Sequence, residues 1–106
     1  MSDLNLVVVS GRLTKPLELK ELAGDKYLAV GSIALNRKYK DVEKTTFLDI
    51  KVWDKSGENL TKYTKKGSRV NLQGRLEQET WEKDGKNFSK IVMVVEDFQL
   101  LDKRDE

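Results

Sequence analysis

Two large aromatic rings, Phe47 and Trp53, flank Lys51 at alternate positions of the segment Thr46-Phe47-Leu48-Asp49-Ile50-Lys51-Val52-Trp53. In an extended strand this spacing puts the rings, Lys51 and Asp49 on one side, while Leu48, Ile50 and Val52 take the other. Flat rings beside a cation suit stacking on nucleobases, with the lysine left for phosphate. The same pattern suits cross-strand packing or a subunit interface, so this strand alone leaves both open.

Little other chemistry is available. The 106 residues contain no histidine and no cysteine, which removes the commonest general base, the commonest metal ligand, thiolates and disulfides. No paired-acid motif, phosphate loop or nucleophile elbow is present. Lys15-Pro16 and Gly24-Asp25 are turn signals, and Lys65-Lys66-Gly67-Ser68 lacks the glycine run of a phosphate cradle. We therefore expect a binding protein with no catalytic residue, no metal and no cofactor. Net charge is +2, but residues 1 to 95 carry 18 Lys and Arg against 13 Asp and Glu, and residues 96 to 106 carry 2 against 5. A basic body with an acidic end suits a polyanionic partner. No apolar run is long enough for a membrane span and the start has no secretory signal, so a cytoplasmic location is expected.

The elements that must hold these residues are mostly strands. Leu4 to Leu13 is a Leu/Val-rich strand that bends at Gly11, Pro16 ends it, and Tyr27 to Arg37 forms the second strand. Residues 40 to 44 are expected as a charged loop into the Phe47 strand. Asp54 to Lys66 is the one helix, with Ser56 as its cap and Gly67 as its stop. In the fourth strand Val70, Leu72 and Leu76 point inward, and Asn71, Gln73 and Arg75 point outward. Asp84-Gly85 is the preferred pair for a two-residue hairpin turn, which sets Lys83 against Lys86, Glu82 against Asn87 and Trp81 against Phe88. The last strand, Ser89 to Leu101, is apolar on both faces and must be covered on both.

Strand, strand, strand, helix, strand, strand is the order of the five-stranded OB barrel, an all-β fold with one short helix. We assign residues 1–101 to this domain and 102–106 to a short charged end. In an OB barrel the second and third strands and the neighbouring loops form the ligand face. Five rings fall there: Tyr39, expected opposite Phe47 across a hairpin centred near Glu43, then Trp53, Trp81 and Phe88. Arg37, Lys38, Lys51, Lys55, Lys66 and Arg75 are the cations expected to follow phosphates.

The chain resembles the bacterial single-stranded DNA-binding protein family, SSB. The likeness rests on Leu-Val-Val-Val-Ser-Gly-Arg-Leu at 6–13, Ala-Leu-Asn-Arg-Lys-Tyr-Lys-Asp at 34–41, Phe47 to Trp53, Glu58-Asn-Leu-Thr-Lys-Tyr, Lys66-Gly-Ser-Arg-Val and Gly74-Arg-Leu, with Trp81 and Phe88 beyond. It implies single-stranded DNA wrapped over an OB-fold homotetramer, with Tyr39, Phe47, Trp53 and Trp81 stacking on bases. Protection of single strands in replication, recombination and repair, and association with the nucleoid, follow from the same resemblance. Family members usually continue into a Gly/Pro/Gln-rich segment and a very acidic tip. These residues end at Leu101-Asp-Lys-Arg-Asp-Glu, so recruitment of replication and repair proteins is not carried over. A primosome-type accessory protein and an OB module that binds another protein are the alternatives.

Overall fold

β1 (Val7–Leu13) pairs along most of its length with β5 (Arg69–Lys83) and at its end also with β3 (Lys26–Tyr39), and this double pairing curls the sheet into a barrel. The computed structural model describes residues 2–102. β3 pairs with β4 (Val42–Trp53), β4 runs parallel to β6 (Lys86–Leu100) at Ile50↔Met93 and Lys51↔Val94, and β6 returns antiparallel to β5. A further strand, β2 (Glu18–Leu22), takes the same edge of β3 that β1 takes farther along. β1 and β2 thus form one barrel strand interrupted at Lys15-Pro16. The fold is the closed five-stranded OB barrel that the element order predicts.

At Gly11 β1 passes so close to β3 that only glycine fits, because a Cβ there would lie 2.4 Å from the Ala34 carbonyl oxygen. Inside, Leu13, Ile33, Ile50, Val52, Val70, Leu72 and Met93 are buried together. Val92 to Val95 are all buried, as a strand covered on both faces requires. Opposite Gln73-Gly74, β6 holds one extra residue, Glu96, so its inward positions change from Met93 and Val95 to Phe98 and Leu100.

The helix begins at Asp54 as expected but differs in its cap and in its end. α1 spans Asp54–Tyr63, and its N-cap is Trp53, with no side-chain cap hydrogen bond, rather than Ser56. It stops because Thr64 is extended (φ −127°, ψ 165°). Gly67 belongs to the next turn, where its N–H donates to Leu13 O at 2.8 Å. Leu60 plugs the end of the barrel, fully buried, while Gly57 lets the helix approach β4, since its Cβ would lie 2.3 Å from Val52 O.

Two hairpins carry the candidate site. Asp84 and Gly85 both have positive φ (52° and 76°), and Lys83↔Lys86, Glu82↔Asn87 and Trp81↔Phe88 face each other as predicted. The β3–β4 hairpin is a correction. Residues 42–44 are strand rather than loop, the turn is Lys40-Asp41 with Lys40 at φ 54°, and Tyr39 faces Val42 while Phe47 faces Ala34. Leu76 has inward parity but is 42% exposed, lying beyond Gly74, where the pairing of β5 with β1 ends. At the chain's end, the Arg69 N–H donates to Asp102 Oδ2 at 2.8 Å. The rest of the charged segment, 103–106, lies outside the described residues. Among the described residues no helix is long and apolar enough to cross a membrane.

Candidate nucleic-acid interface

Strand alternation and register decide which candidate residues share a surface. Ile50 and Val52 of β4 are buried, so Phe47, Asp49, Lys51 and Trp53 project outward. On the arm, Met93 and Val95 point inward, which turns Trp81 and Glu79 of β5 and Phe88, Lys90 and Val92 of β6 outward. Side-chain contacts show that these two outward faces are one surface. Lys51 Nζ pairs with Glu79 Oε2, Lys90 Nζ lies 3.2 Å from Asp49 Oδ2, and it lies 4.0 Å from Glu79 Oε1.

The rings on this surface are large and open. Phe47 is 67% exposed, Trp53 40%, Trp81 44% and Phe88 42%. Trp81 and Phe88 stack with centroids 5.8 Å apart and planes inclined by 18°. They form an apolar platform at the end of the arm, held by the Asp84-Gly85 turn. Trp53 sits where β4 passes into α1, opposite Leu28. On the same face an open groove of ≈ 430 Å³ is floored by Val30, Ser32 and Val92 and edged by Lys15, Glu18, Lys20 and the four paired charges.

Tyr39 is not on this surface. The β3–β4 register runs unbroken from Leu28↔Trp53 to Tyr39↔Val42, so Tyr39 and Arg37 share the inward parity of Ile33, while Lys38 shares the face of Phe47. Tyr39 is exposed, with Lys40 Nζ 5.5 Å from its ring centroid, on the reverse of the hairpin. The expected Tyr39/Phe47 pair is therefore replaced by two rings on opposite faces of one ribbon.

The cations divide in the same way. Lys51 is paired with Glu79, and Arg75 is paired with Glu96 at 2.8 Å and Glu77 at 3.6 Å. Arg37, Lys38, Lys55 and Lys66 are exposed and have no ion-pair partner among the described residues. Lys55 lies in the first turn of α1, next to Trp53 in sequence. Lys66 lies in a turn whose backbone bonds run to the end of β1, and the structure does not bring it to the ring-bearing surface. Sequence reading missed Lys90. The Asp84-Gly85 register placed it opposite Glu79, on the side of Phe88, and that signal was sufficient to find it. Lys15 is legible in the sequence only as part of the Lys15-Pro16 turn, and Lys20 lies in β2, whose exposed residues carry no strand pattern.

What this arrangement can do is offer π faces along one side of a barrel, with cations at intervals. Residues 4–101 match the model described as the single-strand binding protein family. The chain is 39% identical over 105 residues to the single-stranded DNA-binding protein of Treponema pallidum, covering 95% of this chain and 60% of that one. It is 35% identical over 106 residues to single-stranded DNA-binding protein 1 of Streptococcus pyogenes, covering 96% of this chain and 82% of that protein. Among solved structures, that of the Plasmodium falciparum SSB complex with ssDNA superposes with a TM-score of 0.87 at 28% identity, covering 96% of this chain and 98% of that one.

Proposed function

The chain belongs to the single-strand binding protein family, and from that premise we propose that it binds single-stranded DNA with little regard to sequence, its rings stacking on bases and its cations following the phosphates. It is a binding protein and not an enzyme. The observation that carries this reading is the union of Phe47, Trp53, Trp81 and Phe88 on one surface. Every base presents a π face, so stacking confers affinity without base selection. Duplex is a poor ligand for the same surface, whose rings need unpaired bases. The ten-residue helix, with Leu60 committed to the core, is no groove reader. Protection of exposed strands during replication, recombination and repair is the role such binding serves.

The test is competition between oligo(dT) and matched duplex for the full chain. Single strand should win by orders of magnitude, mixed-sequence single strands should bind comparably, and affinity should fall with salt with a log-log slope of roughly 0.7 per phosphate neutralised. Tight, sequence-selective duplex binding would contradict the proposal.

We also propose a homotetramer as the working assembly. Val8 of β1 and Leu4 and Leu6 just ahead of that strand are 65%, 92% and 60% exposed, a concentration of open aliphatic side chains that a second copy of the chain would cover. Light scattering at micromolar concentration should return four times the chain mass, and a monomer mass would overturn this.

A further inference from the structure

The middle of the ring-bearing surface is electrically neutral. Two lysines, Lys51 and Lys90, and two carboxylates, Glu79 and Asp49, lie between the β4 rings and the arm rings and are all paired with one another. Glu79 bridges, with one carboxylate oxygen on Lys51 and the other 4.0 Å from Lys90. Lys51 and Glu79 are also the more sheltered members, their side chains 19% and 27% exposed against 46% and 49% for Lys90 and Asp49. A surface expected to attract a polyanion thus presents its central cations already occupied.

We propose that Glu79 is an intramolecular competitor for phosphate, holding Lys51 as a latent ligand and setting how strongly, and how salt-dependently, the protein grips single-stranded DNA. This rests on the single-strand binding proposed above. A phosphodiester entering between the two sets of rings exchanges one anion for another at Lys51, so the net electrostatic gain is small. The exchange leaves Glu79 and Asp49 to share Lys90, which both already approach, and this further reduces the gain. The central lysines therefore contribute little to counterion release, and stacking carries a larger share of affinity than the number of basic residues implies. The pairing also ties the arm to β4, orienting Trp81 and Phe88 relative to Phe47 and Trp53 before any strand arrives.

Replacing Glu79 with glutamine keeps the side chain's size and polarity but leaves Lys51 uncompensated. In the full-length E79Q chain the slope of log affinity against log salt for oligo(dT) should steepen by roughly 0.7, which raises affinity relative to the parent about fivefold for each tenfold dilution of salt. Adding Lys51→Ala to E79Q should abolish that gain, which assigns it to this lysine rather than to the general change in net charge. A role confined to bracing the arm predicts another pattern: lower thermal stability and weaker binding with the slope unchanged, or the same slope in E79Q with and without Lys51→Ala. Either result overturns the proposal. If the parent chain binds no oligo(dT) at any salt, the single-strand reading fails instead, and the two failures are separable in one set of titrations.

Discussion

Trp81→Ala should weaken single-strand binding by roughly 5- to 150-fold while leaving the fold nearly intact. The first figure follows from a stacking contribution of about 1 to 3 kcal/mol per base. The second follows from where the ring sits. Trp81 is 44% exposed on an arm whose hairpin is held by a positive-φ turn and a continuous ladder, and its aromatic neighbour is Phe88. Losing that ring pair costs about 0.5 to 1.5 kcal/mol beyond area, much less than emptying a core position. Trp53→Ala is the informative contrast. Trp53 supplies the N-cap backbone of α1 and faces Leu28 beside the buried Val52 and Ala29, so its loss should lower both binding and thermal stability. Oligo(dT) affinity and thermal unfolding of the two variants separate the cases. A Trp81→Ala protein that binds like the parent but melts early or dissociates would make that ring structural.

The largest effect on stability should come from Gly74→Ala. A Cβ at this position would lie 1.9 Å from the Val94 carbonyl oxygen, 2.9 Å from its carbonyl carbon and 3.1 Å from Val95 Cα. All three atoms are backbone, so no rotamer change makes room. β5 would have to separate from β6 beside the Glu96 bulge, where Val94 and Val95 are buried. Overpacking of this kind costs about 1 to 3 kcal/mol or more, and a domain of this size loses roughly 4 to 8 °C per kcal/mol. A melting temperature lower by on the order of 10 °C is therefore expected. Gly24→Ala serves as the comparison, because its φ of +79° is strained for alanine but nothing lies within 4 Å of the added carbon. A Gly74→Ala protein that melts within a degree or two of the parent would contradict the close approach.

The parts of this molecule legible in its sequence were those governed by local period or by a strong turn pair. β4 shows its alternation over every residue from Phe47 to Trp53, and Asp84-Gly85 fixes the whole arm register, including the Trp81/Phe88 platform. The β3–β4 hairpin was misplaced because its turn residues, Lys40 and Asp41, are not a preferred positive-φ pair, and Lys40 adopts φ 54° all the same. One consequence was large: a turn nearer Glu43 would have set Tyr39 beside Phe47, whereas the observed register turns Tyr39 to the reverse face. β2 escaped notice because Glu18-Leu19-Lys20-Glu21-Leu22 is exposed throughout and has no buried side for a pattern to reveal. Ser56 looked like a cap by type, yet the chain enters the helix directly from the strand through Trp53. The Lys51–Glu79 and Lys90–Asp49 pairs depend on the parallel β4–β6 contact, which joins segments about 40 residues apart and leaves no local signature.

Whether unpaired bases stack on this surface is tested most directly by intrinsic fluorescence, since both tryptophans, Trp53 and Trp81, lie on it. Titration of the full chain with oligo(dT) at low salt should quench the emission to a stoichiometric plateau. Trp81→Ala and Trp53→Ala should each lose part of that quenching, and a matched duplex should cause little. Emission unchanged by saturating oligo(dT), or quenched equally by duplex, would contradict single-strand binding through these rings.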